Sequence, residues 1–149
     1  MTDVGSPMDG EVVGLAGVPD PVFAEAMVGP GTAVDPGREP ADAVAPITGK
    51  LIKLHPHAFV VVDPAGHGVL VHLGIDTVQM KGEGFTLLVA EGDEVQAGQP
   101  LVRWDPAAVE ASGRSPVSPV VALDAPPEAL TDVVDGGSVR AGARLFSWP

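Results

Sequence analysis

The chain contains no cysteine and no tyrosine, and aromatic side chains make up only 4% of its 149 residues. Without thiols there is neither a disulfide framework nor a thiolate metal site, a composition that fits a reducing compartment. A nucleophile, if the chain uses one, must be a His, Ser, Thr, Lys or carboxylate. With so few rings, the core has to rest on Val, Leu, Ile and Ala. Basic residues are scarce too: eight Lys and Arg face 20 Asp and Glu, for a net charge of −12. Phosphate-backbone binding needs the opposite sign, which argues against nucleic acid as a partner. The acidity favours encounter with a basic protein, or serves solubility alone. No run approaches the roughly 18 consecutive apolar residues that span a bilayer, and the N-terminus lacks the basic-then-apolar pattern of a secretion signal. The expectation is a cytoplasmic protein with no membrane insertion.

Glycine and proline, by contrast, are abundant: 19 and 16 residues, spread along the whole chain. Turn signals recur at Asp35-Pro36-Gly37, Asp63-Pro64-Ala65-Gly66, Gly82-Glu83-Gly84, Gly92-Asp93 and Asp135-Gly136-Gly137. Between them lie short apolar runs such as Leu51 to Leu54, Phe59 to Val62, Val69 to Leu73 and Phe85 to Val89. This pattern predicts an all-β fold, an antiparallel β-sandwich or barrel with short helical turns, in a single domain over 1–149. Asp20-Pro21 and Asp105-Pro106 supply N-caps and first-turn prolines for two short helices, over Val22 to Val28 and Ala107 to Ala111. A frame Gly-x-x-Val-x-Ala-Gly-x-x-Leu-x-x-Trp occurs twice, from Gly92 to Trp104 and from Gly136 to Trp148. Ser6-Pro7-Met8-Asp9-Gly10 is echoed by Ala45-Pro46-Ile47-Thr48-Gly49 and, more loosely, by Ser115-Pro116-Val117-Ser118-Pro119. Equivalent turns used twice on one sheet system account for these echoes.

His55, His57, His67 and His72 crowd into one stretch. A hairpin turning at Asp63 to Gly68 would pair Val62 with Val69, setting residue 59 opposite 72 and residue 57 opposite 74. His57 and His72 then share a face as diagonal neighbours, about 7–8 Å apart at the backbone. A one-residue slip would separate them. Imidazole, with an ordinary pKa of about 6.5, is a neutral nucleophile at cell pH without an activating base. A second imidazole can donate to a phosphoryl oxygen carried by the first, and phosphoryl transfer needs little beyond positioning and charge stabilisation. Phe59, Leu70, Val71 and Leu73 could ring such a site, dock a partner and exclude water. Asp76, four residues after His72, could hold the ring or the partner. Spacing alone leaves open that these are structural histidines with satisfied hydrogen bonds.

The run Gly66-x-x-Val69-Leu70-Val71-His72-Leu73-Gly74-Ile75-x-Thr77-Val78, continuing into Lys81-Gly82-Glu83-Gly84-Phe85, resembles the glucose-type enzyme IIA domain of the bacterial phosphoenolpyruvate-dependent sugar phosphotransferase system. The likeness extends from Ser6-Pro7 to Phe146. It includes Val18-Pro19-Asp20-Pro21-Val22-Phe23-Ala24-Glu25, His57-Ala58-Phe59 and Glu91-Gly92-Asp93-x-Val95-x-x-Gly98-x-Pro100-Leu101. The resemblance implies an antiparallel β-sandwich in which His72 takes a phosphoryl group from phospho-HPr and passes it to a IIB domain of a membrane sugar permease. It implies that His57 supports the phosphorylated histidine, that Asp76 is the acidic group beside the site, and that Asp20, Phe23, Met27 and Val28 help form a docking rim. It also makes His57 and His72 the ligands a zinc ion at a partner interface would use, although transfer itself needs no cofactor. The chain departs from the family pattern at four positions. His55-Pro56 stands where many members carry a Thr that orients the supporting imidazole. Lys53 and Leu70 occupy rim positions that are often aromatic. Gln79 replaces a commonly charged residue, which weakens any interface metal site built from a carboxylate there.

Three other readings stand beside this one, the first of them implied by the same resemblance. A regulatory module would bind permeases or metabolic enzymes through the same face in one phosphorylation state, since phosphate adds roughly −2 charge. A biotinyl or lipoyl carrier shares the Gly-x-x-Val-x-x-Gly-x-x-Leu turn, but Met80-Lys81 lacks the flanking Met-Lys-Met hairpin. A zinc hydrolase could use His55-x-His57, but a catalytic zinc needs a third protein ligand and none is evident.

Overall fold

The computed structural model describes residues 1–149. Thirteen short strands dominate it: β1 (Thr2–Gly5), β2 (Gly10–Val12), β3 (Gly31–Pro36), β4 (Ala41–Val44), β5 (Gly49–His55), β6 (Ala58–Val62), β7 (Gly68–His72), β8 (Phe85–Leu87), β9 (Glu94–Val95), β10 (Pro100–Trp104), β11 (Ser118–Ala122), β12 (Ser138–Val139) and β13 (Arg144–Trp148). All pairings are antiparallel. Eight strands form one sheet in the order β12-β2-β3-β11-β7-β6-β5-β9, and two smaller sheets, β1-β13 and β4-β10-β8, complete the sandwich. Residues from all three sheets meet in one core that includes Val4, Val34, Leu51, Phe59, Val71, Leu101, Trp104 and Phe146.

The sequence echoes are the trace of a pseudo-twofold axis that runs between β7 and β11. The eight-strand order reads the same from both ends, with β12, β2, β3 and β11 answering β9, β5, β6 and β7. Backbone bonds repeat across the axis. Gly5 N–H donates to the Pro46 carbonyl and Val44 N–H to the Pro7 carbonyl, at 2.9 and 2.8 Å. Gly142 N–H donates to Ser6 as Gly98 N–H does to Ala45. Both glycines sit at positive φ, 89° and 86°, where a side chain would be strained. Trp104 and Trp148, which end the two copies of the repeat, are both buried.

The two capped helices form as their residues dictate. Asp20 accepts from Val22 N–H ahead of α1 (Pro21–Ala24), and Asp105 accepts from Ala107 and Ala108 N–H ahead of α2 (Pro106–Ala111). α1 stops well short of the expected Val28, because Ala26 takes a left-handed conformation (φ 55°) and unwinds the chain. The segment around α1 nonetheless packs on the outer face of the large sheet. There Val18, Phe23, Ala33, Ile75 and Val121 form a second, smaller core.

The β6–β7 hairpin closes one residue tighter than its hydrophobic pattern implied. Val62 pairs with Gly68, not Val69, so His72 lies opposite Ala58 and Phe59 opposite Val71. Asp63 is the cause: its carboxylate accepts from Ala65 and His67 N–H, and its own N–H donates to the His67 carbonyl. That loop ends the turn at His67 and returns Gly68 to the ladder.

Two glycines give contrasting tests of this packing. A Cβ on Gly49 would fall 2.2 Å from the Val62 carbonyl oxygen, whereas one on Gly68 meets nothing closer than 3.6 Å. Gly49→Ala should lower stability by about 1–3 kcal/mol in urea denaturation, through forced strand separation. Gly68→Ala should stay within about 0.5 kcal/mol of wild type.

Candidate active site

His72 ends β7, whose alternation fixes its direction. Val69 and Val71 point into the main core, while Leu70 and His72 are half-buried on the outer face. His57 lies edge-on to the ring, at 5.2 Å between centroids, and Phe23 lies tilted against it, at 5.4 Å. His72 Nδ1 lies 2.5 Å from the Gly74 carbonyl oxygen. A carbonyl can only accept, so Nδ1 carries the proton and the lone pair of the neutral ring is on Nε2. Burial holds the His72 pKa below its ordinary value, against the raising influence of the Gly74 bond, Asp20 and Asp76. The His57 pKa is pushed down to about 4 by burial and by its histidine neighbours His72 and His55. Both rings are therefore neutral at pH 7.

His57 reaches His72 by a different route from the expected one. In the observed register strand parity would separate the two, but His57 is not in a strand. It occupies the turn between β5 and β6, and its carbonyl accepts from Leu73 N–H at 2.7 Å, which ties the turn to the end of β7. His55 stacks on His57 at 5.6 Å with the ring planes 25° apart, and no hydrogen bond joins them. It thus supports the ring by contact and does not reproduce the orienting hydroxyl. His67 lies apart, stacked on Trp148 and close to Thr2 and Asp63.

The loop after His72 is tightly built. Gly74 adopts φ +79°, and a Cβ there would fall 2.8 Å from Thr77 and 2.9 Å from the Ser115 carbonyl oxygen. Thr77 Oγ1 donates to the Leu73 carbonyl, and Asp76 takes a left-handed conformation that leads into the 3-10 turn Thr77–Met80. Lys81 follows at φ 54° outside any hairpin, unlike a carrier lysine.

The expected docking residues divide. Phe59, Val71 and Leu73 are fully buried in the main core and cannot touch a partner, a correction to the expected apolar ring. Leu70 does face outward, and Phe23 and Val28 pack in the second core beside it. Met27 is 70% exposed. Across the ladder, Lys53, Val60, Leu70 and Val121 form one outward row, with Ala58 and His72 in the next. Val60 and Val121 were not expected at the site, and exposed Val22 and Val78 extend its apolar rim. Only the correct register could have found Val60 and Val121. The three concavities of the surface are lined by other residues, and the two histidines lie on the outer side of the large sheet. His57 and His72 offer two nitrogen ligands, half a tetrahedral zinc set, and no third His, Asp or Glu of this chain joins them.

Comparison with known proteins fits this geometry. Residues 2–126 match the family described as phosphoenolpyruvate-dependent sugar phosphotransferase system, EIIA 1. A PTS system glucose-specific EIIA component from Halalkalibacterium halodurans is 39% identical over 139 residues, covering 92% of this chain and 79% of that protein. A PTS system glucose-specific EIICBA component from Streptococcus pneumoniae is 46% identical over 121 residues, 80% of this chain but 16% of that longer protein. The solved glucose permease IIA from Mycoplasma capricolum superposes with a TM-score of 0.88 at 36% identity, covering 97% of this chain and 93% of that one.

The lowered histidine pKa values carry a stability signature. Unfolded imidazoles bind protons near pH 6.5 while the folded ones do not, so their contribution is complete above that pH and is lost as pH falls toward 4. Urea midpoints between pH 7 and 4.5 should therefore fall less steeply in His57→Gln than in wild type. An unchanged slope would contradict a neutral, buried His57.

Proposed function

The chain belongs to the glucose-type EIIA family of the phosphoenolpyruvate-dependent sugar phosphotransferase system and is a phosphocarrier of that system; from this premise we propose that His72 accepts the phosphoryl group on Nε2. The observation that carries the assignment is the bond from Nδ1 to the Gly74 carbonyl, which leaves the only lone pair of the neutral ring on Nε2. Phospho-HPr is the donor, and a IIB domain of a glucose- or N-acetylglucosamine-type permease is the receiver. The S. pneumoniae relative, named an EIICBA component, fits a IIB partner.

In the transfer the Nε2 lone pair attacks phosphorus, a P–N bond forms, and the bond to the donor breaks with its electron pair staying on the donor. No base is needed, because the depressed pKa keeps His72 deprotonated at Nε2. Nδ1 keeps its proton, donated to the Gly74 carbonyl, and the carboxylates of Asp20 and Asp76 offset the positive character of the phosphorylated ring. The arriving phosphate, at roughly −2 charge, raises the pKa of His57 and strengthens its N–H as a donor to a phosphoryl oxygen. Phe23, Ala58, Val60, Leu70 and Val121 limit the access of water to the phosphoimidazole. Asp20 and Asp76 also suit a basic partner surface. No cofactor enters the step; a zinc ion on His57 and His72 would complete its ligand set from a docked partner.

We further propose that the carrier works in the cytoplasm, as its lack of cysteine supports. No helix is long and apolar enough to cross a membrane. The same face can serve regulation: exposed Val22, Met27 and Val78 surround a site whose charge changes with phosphorylation.

Incubation with phosphoenolpyruvate, enzyme I and HPr should place an acid-labile, base-stable phosphate on His72, and His72→Ala should abolish it. His57→Gln should slow transfer by about 100-fold. Label on His57, or no label, would overturn the assignment.

A further inference from the structure

The segment Ser115-Pro116-Val117-Ser118-Pro119 has no part in the reaction just described, yet it is the mould against which the Gly74 loop is cast. Ile75 N–H donates to the Ser115 carbonyl at 2.8 Å, and Gly74 N–H donates to Ser118 Oγ at 3.3 Å. Both N–H groups that flank the Gly74 α-carbon are thus held by this one segment. The peptide joining Gly74 to Ile75 is planar, so fixing its N–H fixes the opposite direction of its C=O. That C=O is the acceptor of the His72 Nδ1 proton.

The mould is itself rigid. Pro116 and Pro119 restrict φ, and Ser115 Oγ accepts from Val117 N–H. Ser118 is completely buried, and its hydroxyl donates to the Pro116 carbonyl at 3.0 Å, which leaves an oxygen lone pair for Gly74. Every other group that holds Gly74 and Ile75 in this mould is backbone; Ser118 supplies the one side chain. Packing does not demand a hydroxyl at this place, because the residue related to Ser118 by the pseudo-twofold axis is Val69.

We propose that Ser118 is a positioning residue for phosphoryl transfer: by accepting from Gly74 N–H and donating to Pro116 C=O it holds the Gly74 carbonyl on His72 Nδ1 and so keeps Nε2 as the reactive nitrogen. The proposal rests on His72 being the acceptor. Without the hydroxyl, Gly74 N–H is left buried and unpaired, the loop relaxes, and the ring can place its proton on Nε2, where no lone pair remains for attack.

The test compares wild type with Ser118→Ala, Ser118→Thr and the near-isosteric Ser118→Cys, each uniformly nitrogen-15 labelled. Long-range proton–nitrogen spectra of the unphosphorylated proteins at pH 7 read the His72 tautomer. The rate of phosphorylation by phospho-HPr is measured alongside. Ser118→Ala should show a mixed His72 tautomer, a lower His72 pKa and a rate reduced about tenfold, and Ser118→Thr should restore all three. If alanine unfolds the chain, Ser118→Cys, a weak acceptor, should show the same changes from wild type in a smaller degree. An unchanged tautomer in every folded variant overturns the proposal, whether or not the rate falls, since a purely structural role would lower rate and melting temperature together. A shifted tautomer with phosphate found elsewhere than His72 would instead overturn the acceptor assignment alone.

Discussion

The hydrogen bond between His72 Nδ1 and the Gly74 carbonyl determines which nitrogen of the neutral histidine keeps its lone pair, and several neighbouring contacts hold it in place. It requires the chain to reverse within two residues of the end of β7. That reversal requires Gly74 at positive φ, in a space closed by Thr77, Ser115 and Val109 where no Cβ fits. Thr77 fastens the loop to Leu73, and Leu73 in turn donates to the His57 carbonyl. A geometric demand at one imidazole thus fixes the place of the second, and the low pKa of each follows from their burial side by side.

The duplicated architecture sets the site in one half of a symmetric frame. The bond from Leu73 to His57 has a counterpart across the pseudo-twofold axis, where Ala122 N–H donates to the Pro30 carbonyl at 2.8 Å. In that half the places of His57 and His72 are taken by Pro30 and Val121, and the α1 segment packs over the latter. The frame is the same twice, but only one copy has histidines at these two places. The other forms the apolar bed on which the α1 segment packs.

Much of this was legible in the sequence. The turn frame at Gly98 and Gly142 could be read because left-handed backbone selects glycine, and the helix starts at Asp20 and Asp105 because capping is local. The approach of His57 to His72 was anticipated, but by a parity argument the structure does not follow. A one-residue change at the Asp63 turn reverses parity, and the capping bonds that decide it depend on loop geometry that apolar patterning does not record. The burial of Phe59, Val71 and Leu73 escaped for a related reason. β6 and β7 are apolar on both faces, so the pattern does not say which face meets the core. The hold of Ser118 on Gly74 joins residues distant in sequence and left no local signal.

The central claim is that the fold presents His72 as a neutral ring protonated on Nδ1. Nitrogen-15 spectra of the wild-type protein, recorded between pH 5 and 8, test it most directly. Throughout the upper part of that range Nδ1 should show a bonded proton and Nε2 the shift of a bare lone pair, with protonation of the ring displaced below its ordinary pH. A proton on Nε2, or an imidazolium at pH 7, would contradict the account.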